Sequence, residues 1–161
     1  MNRRQFLVSG LAAGMTAGLA TSLSVVGTPA QAGRAMFCTI EGLAIDGYDP
    51  VSYFSTQGPR RGRRDISVMW KGAIWRFATP KHRDMFELNP WALAPRYGAY
   101  CAYAMSQGIL VPGSPRVWHL VNGRLYLTQD VEAHERWRKD MVSHIAKADV
   151  NWPAILLTER S

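Results

Sequence analysis

One turn constrains the fold of this chain more than any other feature. Asn122-Gly123 lies between the runs 117–121 and 124–128, both of which are rich in β-branched and aromatic residues. Such runs are typical of strands. A two-residue hairpin turn needs a positive φ at both central positions, and an Asn-Gly pair adopts it readily. The sequence therefore predicts a β-hairpin over 117–128.

A second turn of the same kind occurs earlier in the chain. Lys71-Gly72 separates the strand-like runs 66–70 and 73–78. Glycine at the second turn position tolerates the positive φ that the turn requires. The pattern predicts a second hairpin.

A helix is predicted directly after this hairpin. Thr79 can cap the free amides of a first turn, and Pro80 is favourable at the first helical position. Asn89 precedes a proline and is therefore pushed away from helical angles, so we expect the helix to end near Leu88.

Two further helices are predicted towards the C-terminus. The segment 98–107 is small and aromatic and favours a short helix, whereas Asp130 can cap a longer one. A helical stripe of the longer one comprises Val131, His134, Trp137, Met141, Ile145 and Ala148. We therefore predict a small single α+β domain in which two β-hairpins form an antiparallel sheet packed by two or three helices.

The N-terminal segment is typical of a cleavable signal peptide. A basic start at Arg3 and Arg4 precedes a weakly apolar stretch over 6–26, and Ala30 and Ala32 supply the small residues of a cleavage site. The stretch is interrupted by serine, threonine and glycine, so it is a poor membrane anchor. We expect cleavage after Ala32 and no stable membrane anchor afterwards.

The order Asn-Arg-Arg-Gln-Phe-Leu over 2–7 resembles the twin-arginine export motif. The resemblance implies a periplasmic or secreted protein that is exported already folded, by a route that can carry a bound cofactor. This location makes nucleic acid an implausible partner. The arginines of the segment 60–64 are therefore interpreted as a solvated loop, with contact to an acidic partner as the alternative.

These features divide the chain into four parts. We predict a signal peptide over 1–32, an irregular arm over 33–42, a domain over 43–153 and a C-terminal tail over 154–161. The complete chain carries a formal charge of +7, which includes the two arginines of the signal peptide. The exported part is therefore only modestly basic.

The domain resembles the YHS-domain family, in particular its exported bacterial branch. The blocks that carry the resemblance are 45–54, 70–90 and 97–108, with later agreement over 117–128 and 147–153. The resemblance implies a compact α+β module from a group often linked to heavy-metal handling and best known as an appendage of copper transporters.

Three positions depart from the metal-linked members of that family. Where those members carry cysteines, this chain has Ser52, Ala78 and His82. Thiolates are the ligands that select copper(I) or zinc, and serine or alanine cannot replace them. Metal binding therefore does not follow from the family motif and requires other residues.

One alternative metal site is centred on Cys101. If 98–107 is helical, Cys101 shares a face with Met105, and this thiolate and thioether suit copper(I). His82 and Met85 form a comparable pair on the earlier helix. We predict these four residues as ligands of copper or another soft metal ion; core packing of the same side chains is the alternative interpretation.

The second cysteine, Cys38, leaves further alternatives open. It forms a soft-ligand pair with Met36, and it could instead form a disulfide with Cys101, since the exported compartment favours oxidation. A disulfide would remove both sulfurs as metal ligands. That outcome predicts a metal-free domain that binds another exported protein or a small ligand.

A cysteine-dependent enzyme is the third possibility. It needs a histidine beside Cys101, and the candidates His82, His119, His134 and His144 show no recognisable catalytic spacing. Strand alternation places His119 on the opposite face from its neighbours, towards solvent or a shallow groove. We therefore expect a binding or accessory module, with the partner a metal ion or another exported protein and no catalytic residue assigned.

Overall fold

The computed structural model describes residues 35–157, which form an α+β fold with two sheets. The predicted signal peptide lies outside the described residues. The strands are β1 (Thr39–Ile40), β2 (Leu43–Ala44), β3 (Arg63–Trp70), β4 (Ala73–Phe77), β5 (Ser114–Val121) and β6 (Arg124–Thr128). The α-helices are α1 (Pro80–Leu88), α2 (Pro90–Leu93), α3 (Ala102–Ser106), α4 (Val131–Arg138) and α5 (Met141–Asn151). Single 3₁₀ turns occupy Ile45–Gly47, Pro50–Phe54, Arg96–Ala99 and Ala154–Leu157.

Both predicted hairpins are present. β3 and β4 pair antiparallel around Lys71 and Gly72, which have φ values of 51° and 78°. β5 and β6 pair in the same way around Asn122 and Gly123, with φ values of 49° and 69°. The positive φ at both central positions is the backbone geometry that the turn residues predicted.

The two hairpins lie in separate sheets, whereas the sequence suggested one antiparallel sheet. The larger sheet has the order β1-β2-β4-β3, with β2 parallel to β4. The smaller sheet contains β5 and β6. The free edge of β6 is covered because Cys101 forms a parallel bridge with Leu127, on the side of β6 opposite Trp118 of β5. The segment around Cys101 therefore occupies the edge of the smaller sheet at which the other hairpin was expected to pair.

The helix after the first hairpin begins and ends as predicted. The Thr79 hydroxyl accepts a hydrogen bond from the His82 amide at 3.2 Å, and Pro80 is the first helical residue. The predicted C-terminal helix is instead two helices, because Asp140 leaves helical geometry and caps α5 by accepting a bond from the Ser143 amide at 3.1 Å. A polar cap inside an apolar stripe therefore divides the helix.

The arm preceding residue 43 belongs to the folded domain, which corrects the predicted boundary. Its Phe37 is 3% exposed and packs edge-on against Trp75 with ring centroids 5.0 Å apart. The ring also contacts Trp70 and Trp91 at 5.2 Å and 6.4 Å. The arm adds β1, which pairs antiparallel with β2. We conclude that the core is incomplete without residues 35–42.

Two hydrophobic clusters form the interior. The first joins the larger sheet to α1 and includes Trp75, Phe77 and Phe86. The second lies among α3, α4, α5 and β6, and its central residues are Met105 and Trp137. The turn at 154–157, which was predicted as tail, packs here through Ile155. Among residues 35–157, none of the helices is long and apolar enough to cross a membrane.

Candidate functional site

A buried carboxylate organises the region around Ser52, Ala78 and His82. Asp49 is fully buried and begins the 3₁₀ turn that follows it. Its Oδ1 accepts a hydrogen bond from the Val51 amide at 2.9 Å, while Oδ2 accepts one from the Ala78 amide at 2.8 Å. The same Oδ2 lies 2.6 Å from Nδ1 of His82. These three partners satisfy a group that is costly to bury alone.

Ser52, Ala78 and His82 therefore meet at one place. Ser52 donates its hydroxyl hydrogen to the Asp49 carbonyl at 2.6 Å, and the other two positions contribute the Ala78 amide and the His82 ring. The side chains there are a hydroxyl, a methyl and an imidazole that is already bonded to a carboxylate. The sequence signal for this role of Asp49 is an aspartate directly before a proline, in N-cap position.

Cys101 lies inside the protein and stabilises the start of α3. It is 1% exposed, and its Sγ accepts a hydrogen bond from the Ala104 amide at 3.5 Å. Its own amide donates to the Val111 carbonyl at 2.8 Å. Met105 follows one turn later and is fully buried, as the predicted shared helical face implies. The thiol thus has a packing and capping role whether or not it binds metal.

The four predicted metal ligands are divided between two environments. His82 is bonded to Asp49, and Met85 is 41% exposed on the surface of α1. Cys101 and Met105 lie instead where α3 packs against α5 and β6. The described residues contain no group of three or more His, Cys, Asp or Glu side chains arranged to hold a metal ion. The two pairs are therefore separate features of the fold.

Both cysteines are free thiols, so the disulfide considered as an alternative is not formed in this structure. Cys38 is half-buried, and burial raises the pKa of its thiol above the usual value. It opens into a surface groove of about 570 Å³, here called the arm groove. The groove is lined by Ala35, Phe37, Cys38, Thr39, Tyr100, Gly108, Ile109, Leu110 and Pro112.

One glycine holds the arm beside this groove. Gly98 has a φ of +60°, and a Cβ added to it would lie 1.8 Å from the carbonyl oxygen of Met36. The Gly98 carbonyl in turn accepts a hydrogen bond from the Cys38 amide at 2.7 Å. The close approach of two backbones thus positions the thiol, and only glycine permits it.

The three remaining histidines have defined partners in the structure. His144 lies with Nδ1 3.0 Å from the Ser106 hydroxyl. His119 and His134 lie side by side, with ring centroids 5.5 Å apart. His119 therefore faces α4, and Trp118 packs on the other side of the strand against Tyr53. The predicted alternation is therefore present, but His119 packs against His134 and Trp137 of α4 and does not point to open solvent.

The arginine loop is partly engaged within the protein. Arg61 donates hydrogen bonds to the backbone carbonyl and the carboxylate of Asp46, and it lies 4.5 Å over the Tyr48 ring. Arg116 donates to the Tyr48 hydroxyl at 3.3 Å, and this bond lowers the pKa of Tyr48, with further lowering by the charges of Arg116 and Arg61. This part of the surface is thus a cation-rich patch around one phenol.

Comparison of the chain with family models, with curated proteins and with solved structures gives no significant match. The resemblance to the YHS-domain family therefore rests on the sequence blocks quoted above. The function has to be argued from the chain's own residues.

Proposed function

We propose that the protein is an exported binding or accessory module of the YHS type that handles copper or another soft metal ion. The observation that carries the proposal is that both cysteines are free thiols. A disulfide between them would have removed the only two thiolate donors of the chain. The twin-arginine-like signal supports export to the periplasm or beyond.

Cys38 is the thiol that an incoming ion could reach. Cys38 lines the arm groove, whereas Cys101 is buried and is itself the N-cap residue of α3. Because burial raises the pKa of Cys38, this thiol is protonated near neutral pH and must release its proton when it binds a metal. Copper(I) prefers sulfur ligands, and Cys38 is the sulfur-bearing residue among those that line the groove. The structure thus favours Cys38 over the Cys101-centred set as the first point of contact.

The test is a copper(I) competition titration on the exported protein, purified anaerobically and without chelator. We expect one equivalent to bind, with loss of affinity in Cys38→Ser. Cys101→Ser is the matched control, because it changes the same atom at a buried site, and we expect it to keep binding. Loss of binding in Cys101→Ser alone would show that the copper site is the buried one centred on Cys101. Absence of binding in the wild-type protein would overturn the proposal.

A second candidate function is the binding of another exported protein or a small ligand without metal. The arm groove favours it, because Ile109 on its rim and Ile40 in the adjacent edge strand are more than half exposed. Exposed apolar side chains beside a groove are typical of binding sites. Crosslinking in the periplasm from a photoreactive residue at position 109, compared with the same residue at position 123, tests this alternative. Crosslinks specific to position 109 that persist in Cys38→Ser would favour it.

A further inference from the structure

Two imidazole rings from different elements lie together at the junction of the smaller sheet with α4. His119 belongs to β5 and His134 to α4, and both are half-buried. Their ring centroids are 5.5 Å apart, with an angle of 51° between the ring planes. A strand and a helix thus hold two imidazole rings in a fixed relation, and both residues remain partly exposed.

The separation of the rings suits a shared metal ion. A zinc–nitrogen bond is about 2.0 to 2.1 Å long, so each ring centre lies roughly 3.2 Å from a bound ion. Two imidazoles in tetrahedral positions then have centres on the order of 5 Å apart. The observed distance of 5.5 Å is within a small side-chain adjustment of that value.

A threonine sets the protonation pattern of one ring. The Thr128 hydroxyl donates to the Val117 carbonyl at 3.4 Å, and its oxygen lies 3.3 Å from Nδ1 of His134. Since a hydroxyl has one hydrogen to donate, the oxygen accepts the proton of Nδ1. That bond leaves Nε2 of His134 unprotonated and oriented by a second partner, as is usual for histidine that ligates a metal.

Trp137 lies against both rings, with centroids 5.9 Å from His119 and 6.1 Å from His134. Its indole therefore reports on anything bound there.

We propose that His119 and His134 form a binding site for a borderline divalent transition-metal ion, such as Cu²⁺ or Zn²⁺. Imidazole nitrogen suits these ions, whereas the thiol site discussed above suits copper(I). Within residues 35–157 no third His, Cys, Asp or Glu completes the site, so water or a donor from an incoming ligand fills the remaining positions. The site therefore leaves open coordination positions, and it does not depend on the thiol-based proposal.

The experiment titrates the exported protein with Cu²⁺ and Zn²⁺ by calorimetry, while Cu²⁺ quenching of tryptophan fluorescence is followed in parallel. We expect one equivalent of either ion to bind. His119→Gln and His134→Gln should each weaken binding at least tenfold. Thr128→Val keeps both imidazoles but removes the orienting hydroxyl, and should weaken binding roughly tenfold.

Two matched controls separate this site from the others. His144→Gln removes a histidine that is also held by a hydroxyl but lies outside the pair, and it should bind as wild type. Cys38→Ser should keep Cu²⁺ and Zn²⁺ binding even if it loses copper(I). Unchanged binding in both pair variants would overturn the proposal, as would divalent binding lost only in Cys38→Ser.

A measurement on the wild-type protein guards against variants that fail to fold. Diethyl pyrocarbonate modifies accessible, neutral imidazoles, and a bound metal should protect those that ligate it. We expect saturating Zn²⁺ to protect His119 and His134 against modification but to leave His144 unprotected. Equal modification of the pair with and without Zn²⁺ would refute the site.

Discussion

Replacing Asp49 by alanine should destabilise the domain more than any other single change to a charged residue. The substitution removes an acceptor of three hydrogen bonds from a fully buried position. It leaves the amides of Val51 and Ala78 without their partner, and it releases the His82 ring. An unsatisfied buried donor costs about 1–3 kcal/mol.

The expected loss is therefore about 3–5 kcal/mol in the free energy of unfolding, comparable with breaking a buried charged pair by removing one partner. For a domain of this size it corresponds to a fall of roughly 10 to 20 °C in Tm. Asp49→Asn should lose about half as much, because Oδ1 can still accept from Val51 while only the Ala78 amide loses its acceptor. The His82 ring can accept from the new amide through its other tautomer.

Chemical denaturation followed by circular dichroism measures these values. Asp65→Ala is the control, because this aspartate is exposed and its salt bridge is to Arg63, two residues away in sequence. We expect its midpoint to match the wild type. A loss below about 1 kcal/mol in Asp49→Ala would show that water or rearrangement replaces the carboxylate, and that the fold is not organised around it.

Three further predictions concern the arm, the histidine pair and export. Gly98→Ala should displace the arm and make the Cys38 thiol react at least tenfold faster with a thiol reagent; Gly123→Ala, which has a similar positive φ but no atom near its new Cβ, should leave that rate unchanged. Because the pKa of His134 is lowered in the folded state, its contribution to stability is complete above the ordinary value of 6.5 and is lost as the pH falls through the folded value. Unfolding midpoints between pH 7.5 and 5 should therefore decline less in His134→Gln than in the wild type, and equal declines would contradict this. Replacing Arg3 and Arg4 together by lysine should leave unprocessed protein in the cytoplasm, as shown by fractionation, whereas continued processing would point to another export route.

The parts of the fold that were predictable are those with local causes. The hairpin turn at Asn122-Gly123 and the start of α1 at Thr79 and Pro80 depend on residues within a few positions of one another. The backbone conformations that these residues prefer locally are the ones they adopt in the folded protein. Asp140 was also a local signal, because it caps α5 and so divides the predicted C-terminal helix. The apolar stripe continues past Asp140, and it therefore favoured one continuous helix in the prediction.

The candidate sites depended on contacts between distant residues. Asp49 joins Ala78 and His82, which lie 29 and 33 residues later in the chain, and no periodicity in the sequence reveals that contact. His119 and His134 were both recognised as candidate side chains, yet their pairing follows from where α4 packs on β5. Spacing in sequence placed Cys101 and Met105 one turn apart, and the structure has Cys101 as the N-cap of α3; spacing could not show that His82 and Met85 lie in another environment.

The position of the arm has a consequence for the timing of folding. Phe37 is made early by the ribosome, but it packs against Trp91, and the pocket next to it is also lined by Gly98 and Trp152. The arm can therefore complete its packing only after the chain has been synthesised as far as residue 152. Until then, part of the surface around Phe37 remains uncovered. Passage of the folded protein through a narrow channel as an extended chain would first require Met36 and Phe37 to separate from the segment around Trp152.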